Sequence, residues 1–217
     1  MIHWPRTTRL LLLSALVTLG GCFSLARDPS PPRHYVLGGG GEAAASPAAT
    51  ARTSIGLRPP RLAEYLMTPF IVVRRDIHQI GFSEFDRWGE GVVHGIGRTV
   101  ARSMSVRAPS LRVETTPWPT TAQPEYVIEM DVLRFEGVAP ADSLAVEGEA
   151  HLLATWEITR RRDGSLLASG TTEVREPGWT VGDFHGLVAL LDAALDRLGA
   201  ELVLELEAAL ERVPPRD

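Results

Sequence analysis

The chain has 217 residues, with 22 basic and 27 acidic side chains and a formal charge of −5. That balance argues against nucleic acid as a partner and against a polybasic membrane patch. One cysteine, Cys22, leaves no thiol pair for a disulfide, a redox motif or a zinc cage.

Arg6 and Arg9 precede an apolar run from Leu10 to Leu19 of roughly ten residues, short of the ~20 that a bilayer-spanning helix needs. This pattern predicts a secretory signal peptide over residues 1–21 rather than a transmembrane helix. Its end, Leu19-Gly20-Gly21-Cys22, resembles a bacterial lipobox. The resemblance implies a diacylglyceryl group on the Cys22 thiol, cleavage between Gly21 and Cys22, and acylation of the new amino terminus. Each buried CH₂ contributes about 0.8 kcal/mol, so several acyl chains anchor stably. The first 21 residues hold two arginines and no acid, so the remainder carries 20 arginines against 27 acids, a formal charge of −7. Attachment is therefore expected from lipid rather than from charge.

Residues 22–33, rich in Pro and Ser, read as a disordered tether. A single domain is expected over 34–213, with a Gly/Ala-rich flexible loop at 38–51 and a tail at 214–217. His34–Leu37 and Arg52–Leu57 are short strand candidates. Pro59-Pro60 stops the second, and Arg61–Met67 has room for a short helical turn. Phe70–Arg74 is β-branched and apolar, as a buried strand is, and Asp76–Ile80 is a candidate partner for it. Ser83 is placed as the N-cap of an amphipathic helix. Its face would be Phe85, Trp88, Val92, Ile96 and Val100, running to about Ser105.

After a short strand at Leu111–Glu114 and a Pro/Thr loop, the alternation becomes strict. In Tyr126–Phe135, Tyr126, Ile128, Met130 and Val132 share one face, and in Val146–Arg160, Val146, Ala150, Leu152, Ala154, Trp156 and Ile158 share another. Glu149, His151, Thr155 and Glu157 point the opposite way, as on a solvated face. Asp163-Gly164 is a two-residue hairpin signal, and Leu166–Arg175 is the return strand of an antiparallel meander. Glu176–Gly182 is expected as a loop. From Phe184 to Leu210 a leucine stripe recurs at helical spacing, with Asp183 to cap it and Pro214-Pro215 to end it. The stripe spans only about three heptads, so a helix packed on a sheet is preferred to a coiled coil. The predicted fold is α+β: a mainly antiparallel sheet of five to seven strands with two long helices on one face.

Catalytic and metal-binding patterns are missing from the sequence. The histidines have no paired spacing of the His-Glu-x-x-His kind, there is no Gly-x-Ser-x-Gly elbow, and Ser-x-x-Lys is impossible in a chain without Lys. His151 reads as solvated rather than catalytic. No catalytic residue, metal ligand or cofactor is expected, and the protein is not expected to be an enzyme. Trp118 and Trp179, both in expected loops, are either caps of the core or contacts for a partner, since Trp is enriched in interface hot spots.

Several local patterns resemble the ABC-type transport auxiliary lipoproteins, the PqiC-like group of Gram-negative bacteria. They are Tyr35-Val36-Leu37 after the lipobox, Pro59-Pro60-Arg61-Leu62-Ala63-Glu64-Tyr65-Leu66, Pro69-Phe70-Ile71-Val72-Val73-Arg74, and Arg87-Trp88-Gly89-Glu90. Where relatives carry a Trp-Ala-Glu-Pro-Leu type sequence, this chain has Trp-Gly-Glu-Gly-Val. The resemblance implies a lipid-anchored periplasmic subunit that works by binding beside an ABC transporter and a mammalian-cell-entry (MCE) domain protein. Such systems move lipids between the inner and outer membranes and support envelope integrity. Phe23 rather than Asp after the anchor implies the periplasmic face of the outer membrane. A homo-oligomer is compatible with this role. The alternative is an outer-membrane assembly lipoprotein of another system, similar to the lipopolysaccharide-assembly plug.

Overall fold

The long alternating strands form as read, and a parallel half is joined to them. The computed structural model describes residues 31–39, 53–118, 123–141 and 146–212. The lipobox, the tether up to Ser30, most of the 38–51 loop and the Pro214-Pro215 stop lie outside the described residues. In chain order the elements are β1 (Arg33–Tyr35), β2 (Thr53–Leu57), β3 (Arg61–Leu62), a 3₁₀ turn (Glu64–Leu66), β4 (Phe70–Arg74) and β5 (Ile80–Trp88). Then follow α1 (Val92–Arg107), β6 (Leu111–Thr115), β7 (Tyr126–Val138), β8 (Glu147–Arg160), β9 (Leu166–Thr180) and α2 (Phe184–Glu211).

One edge of β7 pairs antiparallel with β8 along its length, and β8 pairs antiparallel with β9. The other edge of β7 takes β2, β3 and β4 in succession, all parallel. β6 adds to β2 in parallel, β5 to β4 antiparallel, and β1 to β5 in parallel. The described residues thus form a mixed nine-stranded sheet, which corrects the expected antiparallel sheet of five to seven strands. The physical reason is local. β1 and β3 are three and two residues long, too short to show a period. Nothing in a short strand's own sequence says which distant strand it will join.

α2 obeys its leucine stripe: Leu187, Leu191, Leu195, Leu198, Leu202 and Leu206 are all fully buried. Each contributes roughly 1.5–3 kcal/mol by leaving water. Asp183 caps the helix, its carboxylate accepting from Gly186 N at 3.0 Å. α1 packs beside α2, where Ser103 Oγ donates to the Asp196 carbonyl at 3.0 Å. The inward residues of α1 are Val92, Ile96, Val100 and Met104, one per turn.

Three expectations change. The helix read from Ser83 begins instead at Val92, and Phe85 and Trp88 belong to β5. Ser83 Oγ does accept a backbone bond three residues on, from Asp86 N at 2.8 Å, but inside the irregular strand. Asp86 is held on the strand because it receives Arg33 Nε at 2.7 Å and Tyr35 Oη at 3.0 Å from β1. Second, β9 runs on through Pro177 to Thr180, over residues expected as a loop. A proline is tolerated there because β9 is an edge strand. Third, the hairpin turn spans 161–164, closed by Arg160 N to Ser165 O at 2.8 Å. Asp163 serves that turn by accepting from Ser165 N and Oγ.

Candidate functional site: the charged face of the sheet

Antiparallel partners share a face, so the register sorts β7 to β9 into two sets. Phe135, Leu152 and Val174 lie toward the helices. Glu136, His151 and Arg175 stand opposite one another on the other face. A bulge between Val132 and Arg134 makes this possible. It slips the β7 alternation by one residue and turns both Arg134 and Glu136 outward.

Glu136 has no exposed surface at all. Arg74, reaching from β4, donates Nε to Glu136 Oε1 at 2.5 Å and a second bond to Oε2 at 3.4 Å. Arg134 lies 3.5 Å from the same carboxylate. Tyr65, on the 3₁₀ turn, places its ring 5.8 Å from the Arg74 guanidinium and donates its hydroxyl to Leu133 O at 3.0 Å. Burial, together with the Glu136 charge, pushes the Tyr65 phenol up to about 12, so it stays a neutral donor.

His151 is on the polar face, as its place in the alternation requires, but it is only 1% exposed. That corrects the expectation of a solvated histidine. It sits on a central strand between Glu136 of β7 and Arg175 of β9, whose long side chains flank it. Arg175 bonds Glu149 at 2.5 Å and Glu173 at 3.0 Å, and it holds the Glu173 carboxyl below its ordinary value. Glu173 is therefore ionised and accepts from His151 Nε2 at 3.0 Å. Nδ1 is left as an acceptor with no partner among the described residues. Burial, with Arg175 nearby, holds the imidazole below its ordinary value and neutral.

Arg74, Arg134, His151 and Arg175 form the floor of a groove of about 670 Å³, walled by residues 75–77, residues 138–141 and the ends of β8 and β9. Its lining mixes Arg74, Arg134 and Arg175 with Ile77, Val138 and Pro177. The buried Glu136 carries two arginines, and the arginines of the floor are already met by Glu136, Glu149 and Glu173. The floor is therefore close to balanced in charge rather than dominated by one sign. Among the described residues no group of three His, Cys, Asp or Glu side chains could hold a metal ion. No described helix is long and apolar enough to cross a membrane.

The two candidate tryptophans part ways. Trp179 is 1% exposed. It lies over Gly137, where a Cβ would come 2.8 Å from its ring, and it donates Nε1 to Asp183 O at 2.9 Å. It is a core residue at the start of α2, not a surface offered to a partner. Trp118 is half-buried at the β2–β6 end of the sheet. A Cβ on Gly56 would come 2.5 Å from its ring, and the Arg58 guanidinium lies 5.9 Å from its centroid. Gly21 and Cys22 lie outside the described residues.

Sequence reasoning missed Arg134, Glu136 and Arg175. The available signal was the phase slip from Met130 and Val132 to Phe135. The patterns quoted above for the family resemblance converge on structural locks. Tyr35 and Asp86 tie β1 down. Tyr65 and Arg74 cover Glu136. Trp88 stacks on Phe135 at 5.9 Å, and Glu90 pairs with Arg98, which also donates to Leu37 O at 3.0 Å.

Together these features define an α+β domain with one face packed on two helices and one charged face carrying an open groove. Residues 35–203 match the family of ABC-type transport auxiliary lipoprotein components, and the chain belongs to that family. Membership makes it a membrane-anchored envelope lipoprotein with an auxiliary role in transport. Among solved structures it is similar to a Xanthomonas campestris protein of the DUF330 family, at 19% identity. That match covers 84% of this chain and 96% of the other, with a TM-score of 0.62. It is also similar to an uncharacterized protein at 13% identity, covering 82% of this chain and 99% of the other, with a TM-score of 0.63. At these identities the likeness shows the fold. No curated protein matches the chain.

Proposed function

We propose that this protein is the lipid-anchored auxiliary subunit of an ABC/MCE-type system that moves lipids between the inner and outer membranes and supports envelope integrity. It acts by binding. Cys22 carries the acyl groups after cleavage at Gly21, and the tether to Arg33 presents a single domain to the periplasm from the outer membrane. The absence of Asp at position 23 supports that membrane in the usual sorting logic. The observation that carries the reading is the family match over residues 35–203. The charged groove fits it: its ionised groups are tied into pairs that shape a surface, and among the described residues no nucleophile stands beside a base there. The groove is the face we assign to the MCE-domain partner.

The test is a cross-linked pull-down from membranes with the native lipoprotein tagged at its C-terminus. Recovery of an MCE-domain protein with ABC transporter subunits is expected. Recovery of a β-barrel assembly protein instead would overturn the reading.

A further inference from the structure

The β4–β5 hairpin does more than wall the groove with its turn. Its strands carry neighbouring aromatic side chains, Phe82 exposed and Phe70 half-buried. Phe70 and Phe82 have ring centroids 6.5 Å apart, yet Phe82 is 52% exposed. The Arg87 guanidinium lies 4.9 Å over the Phe70 ring. Phe85 on the same strand and Met67, three residues before Phe70, are exposed as well. Exposed apolar side chains that lie together, with an arginine beside them, make a candidate contact surface.

The position of the cluster selects its occupant. β1 pairs with β5 in parallel, with Arg33 opposite Asp86. The backbone therefore reaches Arg33 from the Phe85 side of β5. Arg33 and Tyr35 clamp Asp86, and Gly38 N donates to both oxygens of Asp192 at 2.9 and 3.0 Å. The entry point is thus fixed to the domain. Cys22 precedes Arg33 by eleven residues, a reach of at most roughly 40 Å even when fully extended. Phenylalanine rings with arginine beside them also suit the boundary between headgroups and acyl chains, the ring facing the apolar side and the guanidinium staying in water.

From these observations we infer that the Phe70–Phe82 face is a membrane-contact surface, resting on the phospholipid headgroup region beside the anchor. This rests on the lipid-anchor reading above.

The test uses the full acylated protein in vesicles of phosphatidylethanolamine and phosphatidylglycerol. Phe82→Cys carries a nitroxide label. Leu204→Cys, on the exposed side of α2, is the reference, and Phe85→Cys is a second reporter should the first misfold. With Cys22 acylated, the introduced thiol is the one that labels. The expected result is that position 82 is several-fold less accessible to an aqueous nickel chelate, and more accessible to oxygen, than position 204. Equal accessibility in protein that floats with the vesicles overturns the membrane contact while leaving the anchor intact. Shielding of position 82 from the nickel chelate and from oxygen alike would mean that protein covers the face, and would also overturn it. Absence of acyl mass at the amino terminus removes the anchor, and the inference with it.

Discussion

Arg74 Nε meets Glu136 Oε1 at 2.5 Å, and Glu136 is wholly out of solvent. A charge so placed is tolerable only while its partner remains. Arg74→Met leaves Glu136 with Arg134 alone, at 3.5 Å. It should cost about 3–5 kcal/mol in urea unfolding. The double variant Arg74→Met/Glu136→Leu should recover most of that loss. A double variant as unstable as the single one would show that the pair is more than mutual compensation.

The buried His151 imidazole binds a proton less readily in the fold than in the unfolded chain. Its contribution is therefore whole above pH ~6.5 and is lost as pH falls below that value. The groups facing it are Arg134 and Glu136 from β7, Glu149 on its own strand, and Glu173 and Arg175 from β9. Asp192, raised by burial, works in the opposite direction and is common to both proteins compared. Wild type should lose more stability than His151→Gln between about pH 7.5 and about pH 5.5. Parallel losses in the two proteins would remove His151 from the account.

Trp179 and Trp118 should separate on truncation. Trp179→Ala empties a site in the core and should cost about 3–5 kcal/mol. Trp118→Ala, at a half-buried position, should cost clearly less. The midpoint of thermal unfolding, compared across the two variants, decides the order.

The Asp183 cap is a smaller, local term. Asp183→Ala removes the acceptor of Gly186 N and should cost about 1 kcal/mol. Asp183→Asn should retain most of it. Equal losses in both variants would mean that the charge, not the cap, matters there.

What could be read from the sequence was what repeats. The leucine stripe gave α2, and the alternation from Tyr126 to Ile158 gave two strands with their faces. The parallel half was hidden because β1, β3 and β4 are short and their partners distant. The helix start was misplaced because Ser83 does bind Asp86 N, a cap-like bond that β5 uses inside a strand. Trp179 looked like a loop residue beside Pro177-Gly178. Its burial depends on Gly137, more than forty positions away. The groove was legible only in part. His151 and Glu149 were assigned to their face, but what buries His151 comes from neighbouring strands, and a single-strand pattern contains no trace of that.

The central claim is that the groove is where the domain meets its transport partner. It is tested most directly by placing a photo-cross-linking residue at Ala141, on the groove wall, and separately at Leu204, which is 67% exposed on α2. Irradiation of intact cells should join an MCE-domain protein to the Ala141 variant and not to the Leu204 variant. Cross-linking from Leu204 with none from Ala141 would contradict the claim.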